Sequence, residues 1–381
     1  MKKKISILGS TGSIGETTLE IIKKKKNLFQ INTLVANKNY KKICNQINIF
    51  KPKIFIIDDI KTFLKVKKFA KNKKIKILNK INEKKIIKND ISISAIPGIA
   101  GLNLTIYFAQ HSKKLLIANK ESIICGWDIL IKTIKKNKTK LIPIDSEHFS
   151  LLKLLEISKK EDVKKIYITA SGGPFFKSNI KLNKIKPYHA LKHPKWSMGK
   201  KISVDSATMM NKIFELVEAK KLFPFFEKKI GILIHPQSLV HAVIVYKNGL
   251  TNMLYHQPNM IIPIANAIFD SKIDISDIYK KKNNFGDLQF YEINEKNFFP
   301  YKILNKISLY KSSPIIVNAV NEILVDQFLK RKISFLSIID YISRVFKDKN
   351  YKKYAIKSPN NIKKIYEIDN WARVKVKSLL N

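Results

Sequence analysis

Two stretches of the chain hold most of the residue types that do chemistry. In "LIPIDSEHFS" (141–150), Asp145 and Glu147 follow an apolar run closed by Pro143. Residues two apart in an extended segment point the same way, so the two carboxylates are expected on one side. Two carboxylates make half of a hard-cation site, and a third ligand must come from elsewhere. The stretch "HPKWSMGKKISVDSATMMNKIFELVEA" (193–219) offers one. Its pattern predicts a helix capped at Asp205 or Ser206. On that helix Asn211 and Glu215 stand four apart, and Lys212 and Glu215 three apart, so they are neighbours. Ser206 is expected near the helix start, where backbone N–H groups lack partners. Ser206, Asn211 and Lys212 suit a phosphate, and Glu215 could reach a cation held by Asp145 and Glu147. Ile213, Phe214, Leu216 and Val217 pack the helix down. Upstream, Trp196 lies in a loop punctuated by Pro187, Pro194 and Gly199, either as a lid that excludes water or as a buried anchor. "ITASGGPF" (168–175) ends a strand in Ser171, Gly172 and Gly173, whose backbone N–H groups suit an anion or make a simple turn.

A nucleotide site is legible near the start. "ILGSTGSIGETTLEII" (7–22) places Gly9, Gly12 and Gly15 after a first strand and at the opening of a helix. Glycines there permit a tight turn and close approach to a pyrophosphate, and the helix N-terminus supplies N–H groups and partial positive charge. The spacing is G-x-x-G-x-x-G rather than G-x-G-x-x-G. NAD sites carry an acid about 20 residues on, at the end of the second strand. Here that strand ends "LVANKNY", with Asn37, Lys38 and Asn39 and no carboxylate, which favours NADPH over NADH. "IANKES" (117–122) sets Asn119, Lys120 and Glu121 at the end of a later strand, beside the nicotinamide or on a solvated loop.

The elements that must hold these residues follow from periodicity. Apolar runs at 4–8, 29–36, 52–58, 75–78, 90–96 and 113–119 read as strands, with helices at 14–26, 39–50 and 60–71 between them. Such alternation implies parallel βαβ units. Strands at 166–171, 230–236, 241–246 and 250–255 lack that alternation, and "KNGL" between the last two signals a hairpin. A mixed or antiparallel sheet is expected there. From Ile303 the spacing turns helical, with Val317, Val320, Ile323, Leu324 and Phe328 on one face. The expected class is α/β, with a Rossmann-like N-terminal domain, an α+β middle domain and a C-terminal helical bundle.

Composition limits the function classes. The chain has 381 residues, 45% of them hydrophobic, so folded cores in more than one domain are expected. No apolar run reaches the length of a membrane span. "ISIL" is too short for a signal peptide, and two cysteines exclude a disulfide framework, so a cytoplasmic setting is expected. The net charge is +44, yet only Arg331, Arg344 and Arg373 among the basic residues are arginine. Lysine spread along the whole chain, with Ile and Asn also abundant, fits a compositional drift, and no specific nucleic-acid partner is expected. A polyanion-binding protein is the rival reading, distinguishable by whether its affinity survives salt.

Together these segments resemble the 1-deoxy-D-xylulose 5-phosphate reductoisomerase family. The resemblance is carried by "GSTGSIG" (9–15), "ANKES" (118–122), "PIDSEH" (143–148), "TASGGPF" (169–175), "HPKWSMGKKISVDSATMMNK" (193–212), "LIHPQS" (233–238) and "VNAVNEI" (317–323). It implies an NADPH-binding domain (1–144), a catalytic and dimerisation domain (145–270) and a helical domain (301–381); the polar, irregular stretch 271–300 reads as a linker. It also implies a homodimer, a phosphorylated sugar substrate and Mg²⁺, Mn²⁺ or Co²⁺. By the same resemblance Thr11, Gly12, Ser13, Ile14, Asn37, Lys38, Asn39, Asn119, Glu121 and Gly199 would contact NADPH. Asp145, Glu147 and Glu215 would bind the metal. Ser171, Ser206, Asn211, Lys212 and His193 would meet the substrate's phosphate end, and Lys120, Ser146 and Glu147 its backbone. Lys120, Glu147, His193 and Glu215 would be the catalytic group, with Trp196 and Met198 on a lid. The chain departs from the family pattern at Asn37, Pro97 and Asn259. The implied reaction is isomerisation and reduction to 2-C-methyl-D-erythritol 4-phosphate. Another NADP-dependent dehydrogenase of a phosphorylated substrate is the alternative.

Overall fold

The first strand, β1 (Lys3–Leu8), passes from exposed lysines into a fully buried Ile5–Leu8 run. It forms the middle of a seven-stranded sheet with β2 (Phe29–Ala36), β3 (Ile54–Ile57), β4 (Lys76–Leu78), β5 (Asn89–Ser94), β6 (Ser112–Ile117) and β7 (Lys140–Pro143). The order is β4-β3-β2-β1-β5-β6-β7 and every pairing is parallel. β2 reads "FQINTLVA" and exposes only Gln30, as a strand covered on both faces should; its buried Asn32 is satisfied by donating to the Lys88 carbonyl and the Asn89 side chain. The strand order reverses at β1, between β2 and β5, the crevice where doubly wound sheets bind ligands. The helices Ser13–Lys24, Tyr40–Phe50 and Ile60–Phe69 connect the first strands. This is the Rossmann-like arrangement expected from the alternating pattern.

The computed structural model describes residues 1–81, 88–176, 180–192, 196, 199–280 and 286–381. Two units emerge. The first joins Met1–Ser122, Ile129–Phe149 and Asn259–Lys282. Its last strip is the helix Ile261–Phe269, which packs on Ser13–Lys24 and sets Phe269 edge-on to Phe29 at 5.6 Å. Lys114 fixes the strip's end, lying 2.7 Å from the Asp270 carboxylate.

The second unit joins Ile123–Asp128, Ser150–Pro258 and Asn283–Asn381. Its sheet contains β8 (Val163–Ala170), β9 (Ile230–Ile234), β10 (Val240–Tyr246), β11 (Thr251–Tyr255) and β12 (Tyr291–Glu292), in the order β11-β10-β8-β9-β12. Only β8 and β9 run parallel, so the sheet is mixed, and β10–β11 is the expected hairpin. The C-terminal helices are Ser313–Leu329, Phe335–Phe346 and Ile362–Leu380 with short ones between. Ser313–Leu329 differs from the expected one-faced helix. Residues 313–321 are buried on all sides and Ile323 is only half-buried. The cause is its central place, packed by Phe335–Phe346, Ile362–Leu380 and the helix Lys200–Ala207. No helix among the described residues is long and apolar enough to cross a membrane.

Candidate functional site

In the first unit the glycine turn is built by close packing. Gly9 has φ +86°, and a Cβ there would stand 2.6 Å from the Ala95 carbonyl oxygen. A Cβ on Gly15 would stand 2.3 Å from the Gly9 oxygen and 2.6 Å from Ser10 Cα. Gly12 takes the N-cap place of Ser13–Lys24 with no side chain to cap it, and Gly12 and Ser13 are exposed, with Thr11 and Ile14 half-buried beside them. Glu16, the only acid in the first turn, is ion-paired to Lys42 at 2.6 Å. The turn thus fits a pyrophosphate: backbone donors at a helix start, a neutralised acid, and a glycine at the cap position.

Asn37, Lys38 and Asn39 are all exposed after β2. Asn39 caps Tyr40–Phe50, accepting from the Lys42 N–H at 3.2 Å. That leaves Lys38 as the exposed cation at the strand end. Asn119 is buried, and its amide donates to the carbonyls of Ile96 (2.6 Å) and Gly98 (3.0 Å) and to Glu121 (3.0 Å). Its backbone N–H is also engaged, donating to the Ser94 carbonyl at 3.0 Å.

Lys120 opens the next helix, and its Nζ lies 3.5 Å from Asp145 Oδ2. Asp145 and Glu147 are not in an extended segment, as the sequence pattern suggested. The helix Ser146–Glu156 begins between them. Asp145 is its cap: Oδ1 accepts from the Glu147 N–H at 3.3 Å, and its carbonyl accepts from the Phe149 N–H. Ser146 donates to the Glu147 carboxylate. His148, to which the sequence reading gave no role, is fully buried with Nδ1 3.0 Å from Asp145 Oδ1. Its three-residue spacing from Asp145 was the available signal. Asp145 therefore faces Lys120 on one oxygen and His148 on the other.

In the second unit, Ser171, Gly172 and Gly173 follow β8. The glycines have φ +82° and +70°, and Ser171 Oγ accepts from the Gly173 N–H at 3.1 Å. Asp205 and Ser206 do not start a helix. They end one, Lys200–Ala207, whose N-cap is Gly199. Thr208 bonds back to the Val204 and Asp205 carbonyls, and Met209 turns left-handed at φ +62° before a second helix, Met210–Leu222. The pattern missed the break because no glycine or proline marks it. The expected face survives: Asn211 donates to Glu215 and Lys212 is ion-paired with it. Glu215 and Lys212 are 2% and 5% exposed. Buried charges persist only when paired or ligated, so this constellation is a designed polar interior.

Trp196 is half-buried and stands edge-on to His241, ring centroids 6.2 Å apart. His241 stacks on His256 at 3.8 Å. His193, Ser197 and Met198 lie outside the described residues. His235 of "LIHPQS" is structural: it is fully buried, bonds the Gln289 carbonyl at 2.9 Å and stacks on Phe290, and burial pushes its pKa down.

Against known proteins, the family model 1-deoxy-D-xylulose 5-phosphate reductoisomerase matches residues 5–126. Models of that enzyme's C-terminal regions match 141–223 and 256–375. The chain is 44% identical to the 1-deoxy-D-xylulose 5-phosphate reductoisomerase of Pelagibacter ubique over 99% of each. The chain belongs to this reductoisomerase family. The family's enzyme from Francisella tularensis subsp. novicida is 38% identical over 100% of this chain and 99% of its own. Among solved reductoisomerase structures, one in complex with NADPH, fosmidomycin and magnesium superposes with a TM-score of 0.91 at 31% identity, covering 99% and 98% of the two chains. The Zymomonas mobilis reductoisomerase in complex with NADPH gives 0.87 at 28%, covering all of both.

Proposed function

We propose that this chain converts 1-deoxy-D-xylulose 5-phosphate to 2-C-methyl-D-erythritol 4-phosphate, with NADPH and a divalent cation. The observation that carries the reading is end-to-end likeness to reductoisomerases at 44% identity. The Asn211–Lys212–Glu215 constellation, with Lys212 and Glu215 buried and Asn211 half-buried, lies in the stretch the sequence marked out for it.

NADPH suits the tightly packed glycine turn at Gly9–Gly15, where Thr11, Gly12, Ser13 and Ile14 would meet it, with Lys38 beside the 2′-phosphate. Asn37, Asn39, Asn119, Glu121 and Gly199 complete the assigned cofactor set. Asp145, Glu147 and Glu215 are all carboxylates, the donor type hard cations take, and would hold Mg²⁺, Mn²⁺ or Co²⁺. When bound, NADPH supplies a hydride and the cation supplies Lewis acidity.

The chain's own residues do the rest. Ser171, Ser206 and Asn211 donate to the substrate's phosphate, and Lys212 neutralises it. Anchoring this remote end lets binding energy assist at the reacting carbons. Lys120, Ser146 and Glu147 would orient the sugar hydroxyls, with His193 joining the substrate's phosphate end. Trp196 would exclude water when the loop closes.

A homodimer in the cytoplasm completes the proposal. The edge strand β11 has no outer partner among the described residues, and the two cysteines are unjoined, as suits a reducing compartment. The test is spectrophotometric: follow NADPH loss with 1-deoxy-D-xylulose 5-phosphate and Mg²⁺. Loss that stops with a chelator and returns with Mg²⁺ supports the reading. Folded, NADPH-binding protein without turnover refutes it.

A further inference from the structure

The phosphate-binding segment stands on a buried carboxylate that the reaction does not itself use. Asp205 directly precedes Ser206 and is 2% exposed. A carboxylate in such a place persists only if its oxygens are satisfied. Asn321 Nδ2 donates to Oδ1 at 2.7 Å, and Lys201 Nζ lies 2.9 Å from Oδ2. Lys201 sits one turn back on the same helix, so it balances charge without fixing where that helix lies. Asn321 is different. It is fully buried on Ser313–Leu329, the central C-terminal helix, 116 residues along the chain.

A second contact locates the same helix end. The Ser206 carbonyl oxygen is 2.7 Å from where a Gly173 Cβ would sit, so the end of Lys200–Ala207 packs directly on the Ser171–Gly173 turn. Beyond Ser206, Thr208 bonds back to the Asp205 carbonyl, and Met209 turns the chain into Asn211 and Lys212. A rotation of this helix end would therefore move Ser206, Asn211 and Lys212 relative to Ser171.

We infer that Asp205 and Asn321 are positioning residues for phosphate binding. The Asn321 amide, acting through the Asp205 carboxylate, holds Ser206 and the start of Met210–Leu222 in register to grip the substrate's phosphate. The inference rests on the proposed reading of Ser206, Asn211 and Lys212 as the phosphate site.

The test uses inorganic phosphate as a competitor of the substrate in the full-length enzyme, reading its inhibition constant beside KM, kcat and NADPH affinity. Asn321→Ala should raise the phosphate inhibition constant and KM together by roughly tenfold, the low end for a hydrogen bond to a charged group. NADPH affinity should hold and kcat should change less. Asp205→Asn should have a similar effect, and the double variant should be no worse than the stronger single, because the two act as one device. Should Asn321→Ala not fold, Asp205→Asn reads the same device. Asn318→Leu, one turn earlier on the same helix, removes a fully buried amide with no hydrogen-bond partner among the described residues. It should leave the phosphate constant unchanged. Ser206→Ala separates the two ideas. If it leaves phosphate inhibition untouched, the phosphate-site reading fails and the inference with it. If Ser206→Ala weakens inhibition while Asn321→Ala lowers only thermal stability, or if the two single effects add, or if Asn318→Leu weakens phosphate equally, the inference alone is overturned.

Discussion

His256 should make the second unit acid-sensitive by an amount that can be worked out. Its ring is buried against His241, Nδ1 lies 2.7 Å from the Gln257 carbonyl, and Nε2 has no hydrogen-bond partner among the described residues. Burial pushes its pKa from 6.5 down to about 4, with the Gln257 carbonyl opposing. The folded ring is therefore neutral where an unfolded one would take a proton. Stability is full above about pH 6.5, falls as pH drops through the window from about 6.5 to about 4, and is flat below it. The whole window is worth about 2.5 pKa units, or about 3.4 kcal/mol, and about 2 kcal/mol of that is lost between pH 7.5 and 5. For a unit of this size that is roughly 4–8 °C in Tm. His256→Gln removes the titrating group while keeping a planar polar side chain. Thermal unfolding of both proteins at pH 7.5 and pH 5 should show the variant losing less on acidification by about that margin. Equal losses in the two proteins would refute the reasoning.

Three further outcomes are expected. Gly15→Ala would drive a Cβ to 2.3 Å from the Gly9 oxygen. It should cost roughly 1–3 kcal/mol or more and abolish NADPH binding by equilibrium fluorescence, and retained affinity would show that the turn gives way. Lys38→Ala should raise KM for NADPH about tenfold and leave that for NADH nearly unchanged, since a lost charge-assisted contact to a 2′-phosphate is worth about 1.4 kcal/mol. Glu215→Gln should keep NADPH affinity while kcat falls by on the order of 10²–10³, as expected when Lewis-acid stabilisation of several kcal/mol is lost. Ordinary turnover at normal Mg²⁺ would remove Glu215 from the metal set.

Local patterns carried the strands and failed at helix boundaries. β2 was legible to the residue, because its mostly apolar run stops abruptly at the exposed Asn37, Lys38 and Asn39. The hairpin at Asn248–Gly249 was legible for a similar reason: Gly249 supplies φ +88°. The break at Met209 was not, because a methionine in the left-handed region leaves no trace in composition. Nor was the helix at Ser146, since "IDSEH" sets four polar residues in a row and shows no helical apolar spacing where the helix begins. The chemistry survived both errors. Asn211, Lys212 and Glu215 keep their spacing wherever the helix starts, and Asp145 reaches Glu147 as a cap rather than across a pleat. Asp205 and Asn321 were beyond reach, because a contact between residues 116 apart has no local signature.

The closing strip of the first unit has a consequence for how the chain is made. Phe29 finds Phe269, and Lys114 finds Asp270, only after the intervening second-unit residues have been synthesised. At about 5–20 residues per second, the roughly 120 residues between Phe149 and Asp270 take on the order of 6–24 s to emerge. During that interval the seven-stranded sheet can pair, but the face that Ile261–Phe269 covers stays wet. The nascent chain should therefore pass through a sticky half-finished stage on the ribosome, and a fragment ending near residue 150 should be captured there by chaperones rather than fold to a closed domain.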